Sequence, residues 1–232
     1  MFFILTGPLF FFACAGQKKI IFHPEFNPLP EQAETLVPGE IIESRNGPAD
    51  AALPEWLGNF LNGGIRRVEA QGVYWDKYIF IGKNSGTNLN ALRQWAERFT
   101  VAQDLPRLVG ARIENRLLAA ADLYPDDEYG EFFEAMIKSA SDAEYPEALK
   151  EDNFWIKWRI SGEPAADLTG EGETENTVER DIYEFFVLIS IDKIALQNRI
   201  QALMANIQTA VSPTRDQAAS INRIRQNFFE VF

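Results

Sequence analysis

Apolar positions along this chain follow two rhythms, one of period two and one near 3.6, which alternate through the folded part. Val68, Ala70 and Tyr74 alternate with Arg67, Glu69 and Gln71, which predicts a half-buried strand. Tyr78-Ile79-Phe80-Ile81 is apolar on both faces and predicts a more central strand, with Asp76-Lys77 turning between the two. Gly82 to Thr87 is polar and contains glycine, so a loop is expected there, leading into a helix capped by Asn88. That loop does not fit a phosphate-binding P-loop, because Lys83 follows the first glycine instead of the second.

The rhythm then turns helical. Leu92, Ala96, Phe99 and Ala102 share one face, and Leu105, Leu108, Val109, Ile113, Leu117 and Ala120 renew the stripe. Pro106 is expected to kink or restart this helix, with Asp104 capping the second half. A second helix is predicted over Glu128 to Ser139, gathering Phe132, Phe133, Met136, Ile137 and Ala140 on one side. Phe154, Ile156, Trp158 and Ile160 alternate with Trp155, Lys157 and Arg159, a strand whose expected partner is Asp181 to Ser190. The acidic, glycine-rich stretch Ser161 to Glu179 joins them as a long loop, and its Glu171, Glu173 and Glu175 read as solubilising charge.

Two helices close the chain. Leu196, Ile200, Leu203, Ile207 and Val211 form one stripe, and Ile221, Ile224, Phe228 and Val231 form the next. Ser212-Pro213 should stop the first and start the second. The pair is expected to pack on the sheet and not to project as a hairpin. The order of two strands, two helices, two strands and two helices predicts an α+β fold. Its sheet would be small, antiparallel or mixed, of about four strands, covered by helices on one side.

Before the folded part lie an address and a tether. Met1 to Ala13 is almost wholly apolar, too short for a bilayer span of about 20 residues. It fits the apolar region of a secretory signal. Ala13 before Cys14, with Ala15 and Gly16 after it, resembles a bacterial lipobox. That resemblance implies cleavage between Ala13 and Cys14 and acylation of the Cys14 thiol. At about 0.8 kcal/mol per buried methylene, two or three acyl chains anchor stably where one does not. Gln17 to Ala52 carries Pro24, Pro28, Pro30, Pro38 and Pro48, with Gly39 and Gly47, and reads as a semi-extended tether in which sheet is not expected. The expected organisation is therefore a signal over 1–13, a lipidated tether over 14–52, an α+β domain over 53–190 and a helical pair over 191–232.

Charge narrows the partners. A net charge of -12 leaves no basic footprint for nucleic acid, and the pairs Lys18-Lys19 and Arg66-Arg67 are too short to make one. Anionic lipid would be repelled at long range, so membrane attachment has to come through the lipid on Cys14. A folded part of roughly 180 residues buries about 70% of its unfolded surface and needs no metal or disulfide. With one cysteine claimed by lipid and His23 in the tether, thiol, serine-histidine and histidine-rich zinc sites are not expected. Asp126-Asp127-Glu128 lacks the spacing of a calcium loop. The 34 acidic residues leave a carboxylate-pair hydrolase formally open without singling out a pair. No cofactor and no metal are expected.

Four segments carry a family resemblance: Pro54-Glu55-Trp56, Tyr78-Ile79-Phe80-Ile81-Gly82, the helix from Asn88 through Leu118, and Tyr183-Glu184-Phe185-Phe186-Val187-Leu188-Ile189. Together they span residues 54 to 192, and the chain resembles the twenty-kilodalton bacterial outer-membrane lipoprotein family, whose relatives include flagellum-associated lipoproteins. The resemblance implies an envelope lipoprotein at the outer membrane, on its periplasmic face or surface, with a small α+β domain and no catalytic residue to carry over. The expected function is display of an interaction or structural domain to an envelope protein partner, with hydrolysis or a part in envelope or flagellar assembly as alternatives. Trp56 and Phe60, near the junction of tether and domain, are the candidate interaction surface, with core packing as the competing reading.

Overall fold

The computed structural model describes residues 39–123, 129, 131–162, 178–230 and 232. Strands β1 (Glu40–Ser44) and β2 (Gly47–Pro48) lead into helix α1 (Glu55–Glu69) and strand β3 (Lys77–Gly86). Helices α2 (Leu89–Arg98), α3 (Val101–Leu123) and α4 (Phe132–Ser141) follow. The long strands β4 (Leu149–Gly162) and β5 (Val178–Asp192) precede α5 (Lys193–Ala210), α6 (Arg215–Asn227) and a 3-10 turn over Phe228–Glu230. The fold is α+β, with one antiparallel sheet in the order β2-β1-β4-β5-β3 and a C-terminal helical pair.

The expected hairpin is present and longer than its apolar core suggests. Phe154 pairs with Phe186 and Trp155 with Phe185. Odd residues of β5 (Phe185, Val187, Ile189, Ile191) face a core built with α2 to α6. Even residues (Phe186, Leu188) face a second core with Trp56, Leu57 and Phe60 of α1. Both sheet faces are therefore covered, not one. The strand expected over Val68 to Tyr74 is instead the end of α1 followed by turns. Its short alternation lies inside a longer helical stripe (Trp56, Leu57, Phe60, Val68), broken at Gly63 and Gly64 where the helix kinks. Gly64 has φ +68°, a left-handed conformation that glycine adopts without steric cost.

Other boundaries move for identifiable reasons. Part of the expected tether, Glu40 to Ser44, is a strand, because the Pro and Gly residues flank this apolar-containing run without entering it. The loop expected at Gly82 is the continuation of β3 to Gly86, paired with Val187 to Tyr183. Gly82 is needed there, since a Cβ would lie only 2.5 Å from the Phe99 ring. Asn88 does cap α2, its side-chain oxygen accepting from the N–H groups of Asn90 and Ala91. The helix breaks at Phe99-Thr100, not at Pro106, which sits early in α3. Thr100 Oγ1 accepts from Gln103 N–H while the Asp104 carboxylate accepts from Thr100 N–H, so Asp104 belongs to the cap. Thr214, with Gln217 in a reciprocal capping box, starts α6 in place of Ser212-Pro213.

The C-terminal pair packs on the helical layer through Ile221, Ile224 and Phe228. β3, expected to be central, is an edge strand apolar on both faces. Its outward backbone groups at Ile79 are taken by side chains. Glu69 Oε1 accepts the Ile79 N–H at 2.8 Å, and Arg112 Nη1 donates to the Ile79 carbonyl at 3.2 Å. An open edge is thus blunted locally by an ion pair.

Candidate functional site

Ala13, Cys14 and His23 lie outside the described residues, as do Glu171, Glu173 and Glu175. Trp56 and Phe60 do not form a surface. Both are buried against the sheet, with Trp56 Nε1–H donating to Asp152 Oδ2 at 2.9 Å and Phe60 edge-on to Phe186 at 6.0 Å. Their helical spacing on α1 turns them inward, so core packing is the outcome. The large apolar side chains that are exposed lie elsewhere, among them Val73 and Trp75 in the turns before β3, Leu149 and Ile194. Among the described residues no helix is long and apolar enough to cross a membrane, and no group of three or more His, Cys, Asp or Glu could hold a metal ion.

Three polar clusters serve the scaffold. The Arg112–Glu69 pair covers the β3 edge at Ile79. Buried Glu184 accepts from Trp158 Nε1–H at 2.8 Å and pairs with Lys83 at 3.4 Å. In the third, Ser190 stands 3.4 Å from Lys77 Nζ, a nucleophile beside an amine. Its chemistry runs the other way. The hydrogen bond to Glu151 raises the Lys77 pKa, so the amine keeps its proton and is no base. Ser190 Oγ–H donates to Glu151, and this bond, with Lys77, holds the Glu151 carboxyl below its ordinary range. Ser190 is only 1% exposed, so no substrate reaches it.

Glu114 on α3 is a different case. It is 3% exposed, its Oε2 is buried without a hydrogen-bond partner, and burial raises its pKa. A carboxyl whose folded pKa is raised binds its proton better when folded, so it costs stability as pH climbs from the unfolded value through the folded one. Glu114→Gln cannot ionise. Its stability relative to the native chain should therefore rise from about pH 4 toward neutrality, as followed by urea titrations across that range. A pH-independent difference would contradict a carboxyl strained by burial.

An open cleft of about 350 Å³ lies beside α2, lined by Arg45, Arg93, Ala96, Glu97, Lys150, Asn153, Trp155 and Phe185. Helical spacing puts Arg93, Ala96 and Glu97 on one face of α2, overlooking β4 and β5. Trp155 and Phe185 are a register pair and form the floor. A bulge between Lys150 and Asp152 brings Lys150 onto the same face. Without the extra residue Glu151, Lys150 would share the parity of Phe154 and Ile156 and point to the α1 side. Simple alternation therefore hides this cleft. The bulge is not legible from period-two counting, and only the concentration of Lys and Arg on one strand hints at it.

The three cations are held differently. Lys150 Nζ donates to the carbonyls of Ala96 and Phe99 at 2.7 and 3.4 Å, capping the C-terminus of α2. Arg45 Nη1 donates to the Asn153 carbonyl at 2.5 Å and lies 3.7 Å from Asp152. Arg93 rests over the Trp155 ring, 6.0 Å from its centroid. Its guanidinium has no hydrogen bond or ion pair among the described residues. Three cations line the cleft with one carboxylate, Glu97, and Asp152 stands beside Arg45, which leaves a small excess of positive charge on an acidic chain. Comparison with protein-family profiles, curated proteins and solved structures gives no match.

Proposed function

We propose that the chain is a lipid-anchored bacterial envelope lipoprotein that displays a non-catalytic interaction domain from the outer membrane. Cleavage behind Ala13 leaves Cys14 as the acylated end, and a binding partner in the envelope meets the α+β domain. The observation that carries this reading is Cys14 itself, placed between the apolar run Met1 to Ala13 and the small residues Ala15 and Gly16. The domain geometry is compatible with the reading. The first strand begins at Glu40, and the residues from Cys14 to it would reach at most about 90 Å when fully extended. The Ser190 cluster is tied up in an ion pair, whereas the α2 cleft is open and charged, which favours binding over turnover.

The test is metabolic palmitate labelling with detergent phase partitioning of the native protein and Cys14→Ser. Labelling and detergent partitioning are expected in the native protein, and both should vanish in the variant. A native protein that stays unlabelled and water-soluble, with its N-terminus intact, would overturn the reading.

A further inference from the structure

The cleft beside α2 carries charge opposite to that of the chain and is floored by aromatic rings. We propose that it binds a small organic carboxylate, a ligand with one carboxylate and a flat apolar body. This rests on reading the domain as a binding module and is independent of the anchor at Cys14.

Arg93 supplies the recognition. Its guanidinium lies against Trp155 and has no ion partner of its own among the described residues. Contact with the ring steadies the cation while its N–H edges stay available, and a planar fork matches a carboxylate in a bidentate fashion. Arg45 and Lys150 are already tied to backbone oxygens, and Asp152 offsets part of the Arg45 charge, so Lys150 is the one that adds mainly through its field. The floor bears on the choice between an organic and an inorganic anion. Trp155, Phe185 and Ala96 are nearly buried and leave only a narrow apolar edge in the cleft, which a compact organic body covers and an inorganic anion does not. Glu97 sets the charge limit, since a carboxylate lining the same cleft opposes a second negative charge on the ligand. The volume of about 350 Å³ falls at the small end of ligand clefts, roughly 300–1,000 Å³.

The full chain in detergent, titrated with para-fluorobenzoate and followed by fluorine NMR line broadening, tests this. Saturable binding is expected, weakened roughly tenfold or more in Arg93→Gln and unchanged in Arg107→Gln, an exposed arginine on α3. Inorganic phosphate should displace the probe only at concentrations well above those at which the probe binds. Absence of saturable binding up to about 10 mM would overturn the proposal, as would binding that Arg93→Gln leaves intact. Displacement by phosphate more readily than by unlabelled benzoate would overturn the organic carboxylate as the class. Palmitate labelling of the same preparations reports on Cys14 alone, so failure of the cleft and failure of the anchor are read separately.

Discussion

Arg112→Ala should cost the fold about 3 kcal/mol, because it strips a nearly buried ion pair of one partner. Arg112 and Glu69 have side chains only 17% and 12% exposed, and their closest approach is 2.9 Å. Without the guanidinium, Glu69 keeps its charge in a half-dry setting with only the Ile79 N–H to meet it. The loss spreads further. Arg112 also donates to the backbone oxygens of Ile79 and Phe232, and it lies 5.0, 5.4 and 4.8 Å from the rings of Tyr78, Phe80 and Phe232. One side chain thus ties α1, the β3 edge, α3 and residue 232. Urea unfolding of the full chain measures the cost. The double replacement Arg112→Met with Glu69→Leu should recover part of it, since no lone charge remains, though Ile79 N–H stays unpaired. A loss below about 0.5 kcal/mol for Arg112→Ala would place the pair with ordinary surface bridges.

How much of this was legible beforehand follows from the range of the interactions that decide each element. The stripe Phe132, Phe133, Met136, Ile137 and Ala140 and the hairpin of β4 with β5 are set by local periodicity and emerged from it. So did the α+β class and the packed C-terminal pair. What failed depends on distant partners or on a break in period. β1 is a strand because β4 lies beside it, with Glu40 opposite Arg159 far along the chain. α1 was hidden by Gly63 and Gly64, which interrupt its stripe and leave a short alternation that mimics a strand. β3 reads as central because both its faces are apolar, yet it is an edge, blunted at Ile79 by Glu69 and Arg112. The α2 cleft depends on a single extra residue, Glu151, that resets parity. Strand pairing across the sheet, a glycine break and a bulge decide these elements, and none of the three follows the local period.

Phe186→Ala should be the largest single loss in the α1-side core, about 3–5 kcal/mol. Phe186 is fully buried on β5, opposite Phe154 on one neighbouring strand and Lys83 on the other. Neither strand can close the void without breaking its register, so the cavity term adds to the lost transfer free energy. Phe186→Leu keeps most of the volume and should cost less than about 1.5 kcal/mol. The same residue tests the placement of Phe60, whose ring meets it edge-on at 6.0 Å and 70°. A double-mutant cycle between Phe60→Leu and Phe186→Leu should show coupling of about 0.5–1.5 kcal/mol, as packed aromatic pairs do. Urea midpoints at unchanged slope supply the four free energies. If Phe60→Leu leaves stability untouched and the coupling is nil, Phe60 is not part of this core and its role at a docking surface reopens. If the coupling appears, α1 is fixed as the layer that shields this face of the sheet, and Phe60 is held too deeply in the core to serve as a contact for a partner.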